Sequence, residues 1–290
     1  MNELERLVAA ELAIPVDPRV GKLAAAIAAN HGAASRAVLF YGSCLREKQL
    51  DGLMLDFYLI VSDYRAAYGK RWVAAANRLI PPNVFHFERD GLIAKYAVLS
   101  EADFHRLAGP ETRSVSVWAR FAQPSRLVWA ADNDAQRMAV KAVARAAPTL
   151  IAAALPAVPG HLEPLELWRA AFALTYSAEL RAERHGRSAS VVDREPDRYL
   201  QFTGPALAAA RQLRPQPRPG WARRRIEGKA LSVVRLAKAS LTFAGGVDYI
   251  AWKINRHAGT EIRIKPWQRR WPLLAAISLL PRLLKSGAVR

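Results

Sequence analysis

Apolar residues recur along the chain at two spacings, and the change from one to the other divides it. Residues 19–31, with Leu23, Ile27 and the alanines between them, follow a helical repeat. The next apolar run, Ala37 to Tyr41, is short and strand-like and stops at Gly42-Ser43. A second run, Leu53 to Val61, is richer in strand formers and holds one acid, Asp56. Asn83 to Glu88 and Leu92 to Leu99 flank Asp90-Gly91. That spacing predicts a hairpin, because Asp-Gly favours a tight primed turn, and it leaves Asp90 as a turn residue. From Asp134 the pattern becomes helical, over 135–147 and then 164–184, where Leu167, Ala171, Leu174 and Ala178 share a face. Pro215, Pro217, Pro219 and Gly220 break it and read as a linker or exposed loop. The predicted fold is therefore α+β. A mixed-sheet domain covers 1–134, a mainly helical domain 135–220, a basic segment 221–266 and an amphipathic tail 267–290.

Composition narrows the class. A chain of 290 residues, about half of them apolar, can bury a substantial core, and its length favours two domains over one. The single cysteine, Cys44, excludes a disulfide framework and a thiolate metal site and reads as a small buried residue in a reducing compartment. The opening Met1-Asn2-Glu3-Leu4-Glu5-Arg6 has neither the order of a secretory signal nor the acid-free character of a transit peptide, so a cytoplasmic location is expected. No apolar run is expected to reach the roughly 18 residues of a membrane span. Trp271 to Leu284 is the longest candidate and contains Arg282.

Charge is distributed unevenly. The net charge is +18, yet residues 1–134 carry 16 basic and 15 acidic side chains, whereas residues 211–290 carry 18 basic and 3 acidic. The C-terminal part thus reads as a binder of polyanions or of an anionic surface. Within 267–290, Leu273, Ile277, Leu280 and Leu284 fall on one helical face and Ser278, Arg282 and Lys285 on the other, behind Trp271 and Pro272. An apolar face flanked by Trp and Arg suits a helix lying in a lipid headgroup region, held on the inner face of a membrane. The competing use of such a face is docking on the protein's own core.

The candidate chemistry lies where the first strand ends. A strand, Gly42-Ser43, a helix, and an acid in the next strand make a coherent site. Gly42 admits close approach of a phosphate, the opening helix offers N–H groups to it, and Asp56 can hold Mg²⁺ through oxygen. A helix cap and a hydrogen-bonded buried acid would account for the same residues separately, but an anion among apolar strand residues is costly without a partner. Lys95 interrupts an apolar strand and either offers a point charge to a phosphate or snorkels from a sheet edge. Tyr176, Glu179 and Arg181 share one predicted helix, as ligand contacts or as an intrahelical polar network. Arg235 and Lys238, three apart, either clamp a phosphate or form a solvated basic face. The six histidines show no metal-ligand spacing.

Twelve residues separate Ser43 from Asp56. An apolar residue, Gly-Ser, a spacer and Asp on a strand resemble the signature of the nucleotidyltransferase (polymerase-beta-like) superfamily. The superfamily's second acid, two residues on, is here Tyr58; Asp51 in the spacer is the substitute, unless its Asp-Gly is only a turn. A longer ordered series resembles the mitochondrial-type phosphatidate cytidylyltransferases, which are peripheral CDP-diacylglycerol synthases. It comprises Tyr41-Gly42-Ser43, Leu55-Asp56-Phe57, Lys95-Tyr96 with Val98 and Ser100, Ala119-Arg120-Phe121 with Pro124, Leu174 to Arg181, and Arg235 to Gly245. Glu179 stands where that family has Asp, and Ala178 where it has Gly.

The resemblance implies a nucleotidyltransferase fold and a Mg²⁺-dependent transfer from CTP to phosphatidate, giving CDP-diacylglycerol and pyrophosphate. Asp56 and Asp51 would hold the metal, with Lys95 beside them. Tyr41, Gly42, Ser43, Tyr176, Ser177, Glu179, Arg181, Arg235 and Lys238 would bind nucleotide or phosphate. An anionic membrane is the implied partner and nucleic acid is not. Two other readings stand beside it: a nucleotidyltransferase acting on RNA or a small molecule, and an inactive adaptor for membrane or nucleic acid, which Tyr58 favours.

Overall fold

A computed structural model describes residues 1–46, 50–179, 191–213, 220–242 and 265. Five strands form one mixed sheet: β1 (Ser35–Tyr41), β2 (Met54–Val61), β3 (Asn83–Arg89), β4 (Leu92–Ser100) and β5 (Ser125–Ala130), in the order β3-β4-β2-β1-β5. Only β2 and β4 run parallel; the other pairs are antiparallel. The β3–β4 hairpin turns at Asp90 (φ 52°) and Gly91 (φ 74°), the left-handed pair that a primed turn demands. The expected α+β architecture, a mixed sheet with helices after it, is the one observed.

Strand alternation sends side chains to two cores. On one face Val38, Phe40, Leu55, Phe57, Leu59 and Val98 pack beneath α2 (Pro18–Ala29) through Val20, Leu23 and Ile27. On the other face Leu39, Tyr41, Tyr58, Ile60, Ala97 and Leu99 meet the remaining helices. These are α1 (Glu3–Leu12), α5 (Glu101–Ala108), α6 (Ser116–Phe121), α7 (Asn133–Ala144), α8 (Ala146–Ala154), α9 (Pro164–Ser177) and α10 (Pro196–Gln212); α3 (Tyr64–Ala67) and α4 (Arg71–Leu79) lie between β2 and β3 in the chain. Helix starts follow local chemistry. Asn2 and Glu5 close a capping box on α1, Asp17 caps α2 ahead of Pro18, and Asp132 caps α7. The second core is continuous from Leu4 to Ala210, so it runs across residue 134 and joins sheet and helices.

The helical pattern read over 135–147 is two consecutive helices, α7 and α8, meeting at Arg145. Contrary to the expectation that no run reaches that length, the stretch Asn133–Ala157 is long and apolar enough to cross a membrane by length and composition, because its few charged residues are spread among alanines and leucines. Its most apolar window is 72% buried inside the fold. The helix read over 164–184 is observed as Pro164–Ser177, and 180–190, including Arg181, lie outside the described residues.

The last helix among the described residues, α11 (Trp221–Thr242), ties the two parts together. Trp221 Nε1 donates to the Ala153 carbonyl of α8 (3.0 Å), and Arg224 Nη1 donates to the Arg113 carbonyl (2.7 Å). Gly228 lies so close to the end of α9 that a Cβ would overlap the Ala178 carbonyl oxygen. Further along, Arg235 Nε donates to the Pro81 carbonyl (2.9 Å) and Lys238 Nζ to those of Ile80 and Pro82. The tail, 267–290, lies outside the described residues.

Candidate active site

The register of three strands assembles the centre. Tyr41 on β1 stands opposite Asp56 on β2, and Asp56 stands beside Lys95 on β4. Alternation puts all three on the sheet face that carries Tyr58, Ala97 and the later helices. Lys95 Nζ lies 2.8 Å from Asp56 Oδ1, each side chain 24% exposed. The acid among apolar neighbours thus has a cation in the same sheet layer, and Lys95 sits on an interior strand, not the sheet edge where a snorkelling lysine would be found.

Gly42 follows Tyr41 with φ 94°, a backbone region that L side chains rarely adopt. A Cβ there would stand 3.3 Å from Asp56 Oδ2, so a side chain at this position would crowd the carboxylate. The segment after it corrects the expected phosphate cradle. Ser43–Arg46 is a single 3-10 turn, not an α-helix, and so short a turn has no developed macrodipole to offer. Cys44 is buried, as expected.

Behind the centre, Tyr41 is a wall and not a surface group. Its ring packs 5.3 Å from that of Tyr58 and 6.1 Å from that of Phe121, and burial, with Asp56 nearby, raises its phenol well above the ordinary range. Arg120, from α6, lies over that wall, with Cζ 5.3 Å from the Tyr41 centroid and 5.9 Å from that of Tyr58. Its Nη1 donates to Tyr58 Oη (3.2 Å) and to the Ser116 carbonyl (3.2 Å).

Ser116 is the junction. Its hydroxyl donates to Glu179 Oε1 and accepts from Arg235 Nη1 (2.5 Å). The fold therefore brings Gly42, Asp56, Lys95, Glu179 and Arg235 into one connected region, through Tyr58, Ser116 and Arg120. Tyr176 is partly buried against the core, while Ser177 is exposed and its hydroxyl returns to the Leu174 carbonyl (2.7 Å). Lys238 is buried with its ammonium on backbone carbonyls, so it staples α11 to the turn at residues 80–82. Burial, and then the neighbouring Arg235, push it down to about 7.

Asp51 sits elsewhere. It occupies a turn with Gly52 (φ 75°), is 61% exposed and pairs with Arg19 Nη1 at 3.2 Å. Tyr58, at the second-acid position, is buried and hydrogen-bonded to a guanidinium. Among the described residues no group of three or more His, Cys, Asp or Glu is placed to hold a metal. Asp56 is the carboxylate of this centre that would hold a magnesium ion, which would supply charge neutralisation to a bound triphosphate.

Sequence reasoning did not single out Ser116, Tyr58 or Arg120 as site residues. Arg120 had a usable signal, being a charge inside Val117-Trp118-Ala119-Arg120-Phe121-Ala122, whose other five members are all buried. Ser116 had none.

No family model matches the chain, and no curated protein is similar to it. Among solved structures, it is similar to a nucleotidyltransferase-like protein from Exiguobacterium sibiricum 255-15, at 12% identity over 92% of each chain with a TM-score of 0.28. A likeness at that level carries nothing about chemistry, which rests on the residues themselves.

Proposed function

We propose that the chain is a nucleotidyltransferase that transfers the cytidylyl group of CTP to phosphatidate, releasing pyrophosphate and forming CDP-diacylglycerol. One observation carries this reading. Segments that resemble the phosphatidate cytidylyltransferases in order along the sequence, around residues 42, 56, 95, 120, 179 and 235, converge in space through the Asp56–Lys95 pair and the Ser116 junction.

An oxygen of the lipid phosphate forms a bond to the α-phosphorus while the bond to the β-phosphate bridging oxygen breaks, and pyrophosphate carries away the electron pair. The attacking oxygen is already anionic, so no strong base is needed. Catalysis then rests on positioning and charge stabilisation. Lys95 presents a cation at the mouth of the turn, Gly42 lets the triphosphate approach the backbone, and Arg120 adds positive charge from behind Tyr41. Magnesium, where bound, supplies Lewis-acid neutralisation of the triphosphate with Asp56 as its protein ligand. The basic C-terminal part and the tail would hold the enzyme on an anionic membrane, at its cytoplasmic face.

Tyr58 in place of a second acid and the lysine already on Asp56 favour a second reading, a binding module without turnover. Release of labelled pyrophosphate from CTP, on liposomes with and without phosphatidate, decides between them. Phosphatidate-dependent release is expected, together with a larger loss on vesicles than on detergent-dispersed lipid when 267–290 are deleted. Transfer to RNA instead, or no release at all, overturns the proposal.

A further inference from the structure

Arg120 and Arg235 come from helices more than a hundred residues apart in sequence, yet both hydrogen-bond Ser116, one at its carbonyl and the other at its hydroxyl. Each guanidinium is partly buried; burial lowers the pKa of Arg235, whereas that of Arg120 is raised because Tyr58, Tyr41, Glu179 and Asp56 outweigh its burial. Neither has a carboxylate oxygen within 4.0 Å among the described residues, as is also true of Arg126, whereas Arg36 and Arg198 are salt-bridged. Glu179 accepts from the same Ser116 hydroxyl.

The donors that remain are specific. Arg120 uses only Nη1, leaving Nε and Nη2 without a hydrogen-bond acceptor among the described residues. Arg235 uses Nε and Nη1, leaving Nη2. Lys238, one turn further along α11, differs because its ammonium is taken by two carbonyls. Glu179 attracts both guanidinium groups without pairing directly with either, two cations share one nearby carboxylate, and the guanidinium fork matches the oxygens of a phosphate.

We infer that Arg120 and Arg235, held together by Ser116, form a subsite for a dianionic phosphate group, adjoining the Asp56–Lys95 pair across Tyr41 and Tyr58. The subsite rests on the proposed function only for the source of that phosphate, which is either the triphosphate of CTP or the phosphate monoester of the acceptor lipid. Tyr41 and Tyr58 set its position by stacking under Arg120, and Ser116 fixes the spacing of the two forks. Lysine cannot replace either arginine, since a point charge loses the paired geometry.

The test uses the full chain and two probes, CTP and a short-chain phosphatidate kept below its micelle concentration. Binding of each is measured to the native protein and to Arg120→Lys and Arg235→Lys. A loss of about tenfold or more in affinity for one probe is expected from a broken charge-assisted contact. Loss confined to CTP assigns the fork to the nucleotide, and loss confined to phosphatidate assigns it to the acceptor. Smaller losses for both probes in both variants, with unchanged melting temperatures, overturn the subsite. Should a variant fail to fold, the native protein still decides: either probe must slow phenylglyoxal modification of Arg120 and Arg235, and unprotected arginines overturn the inference. Neither readout needs turnover. A chain that releases no pyrophosphate can therefore still show the subsite, and one that transfers normally in both variants refutes the subsite alone.

Discussion

Lys95 and Asp56 stand side by side on parallel strands, Nζ to Oδ1 at 2.8 Å, and a Cβ on Gly42 would come within 3.3 Å of the other carboxylate oxygen. Asp56→Asn keeps the side-chain shape and removes the charge. It is expected to lower pyrophosphate release by about a hundredfold or more, the usual scale for loss of one stabilising charge at a reacting phosphate. The melting temperature should change little, because both side chains keep part of their solvent contact. Turnover close to that of the native protein would remove Asp56 from the site.

Asp51→Asn separates the two acids. Asp51 is exposed and bound to Arg19, in a turn that Gly52 shapes. Its loss should reduce turnover by less than about tenfold, or ~1.4 kcal/mol in transition-state terms. A Mg²⁺ titration of the variant should superimpose on that of the native protein. A marked rise in the Mg²⁺ concentration needed for activity would instead show that Asp51 reaches the metal when nucleotide binds.

The sequence made the sheet centre legible because strand alternation and a single misplaced charge are local signals. Asp56 within Met54–Val61 and the Asp90-Gly91 hairpin follow directly from that rule. Strand β5 escapes it: Ser125–Ala130 is short, sits at the sheet edge and carries Arg126, so its pattern is weak. A helix after Gly42-Ser43 is what phosphate binding would require, but Ser43–Arg46 make one 3-10 turn. The Ser116 junction was not legible because its partners lie 63 and 119 residues away and serine is common everywhere. Arg120 should have been found by the logic that found Asp56, but it lies on a helix, where a charge looks ordinary until the burial of its neighbours is known.

Two glycine substitutions test how α11 is seated. Gly21, within α2, has open space around its missing Cβ, so Gly21→Ala should stabilise the protein by about 0.5–1 kcal/mol through helix propensity. Gly228→Ala drives a methyl into the Ala178 carbonyl beside Glu179 and must push α11 or the end of α9 aside. A cost of about 1–3 kcal/mol is expected, as for other overpacked contacts, against the same propensity gain. Urea titrations of the two variants should shift their midpoints in opposite directions. A shift of Gly228→Ala to higher urea would show that the helix is not packed there.

Lys238 gives a pH dependence whose sign is fixed. Its ammonium is buried against carbonyls beside Arg235, and its pKa falls from an ordinary lysine value near 10.5 to about 7 in the fold. Between these values the unfolded chain binds a proton that the folded chain does not, so the stability contributed by this residue rises with pH. Below about pH 7 lysine is charged in both states, and the cost of burying the charge is borne in full. Lys238→Met removes the titration while keeping most of the apolar stem. The native protein should therefore gain stability relative to Lys238→Met as pH is raised from 7 to 9, measured by urea unfolding at constant ionic strength. Comparison with the variant cancels other groups, including His31 and His105, whose lowered pKa values lie in folded surroundings common to both proteins. A stability difference that stays flat over this range would mean that Lys238 keeps its proton, and that α11 is stapled to the turn at residues 80–82 by a charge and not by a neutral amine.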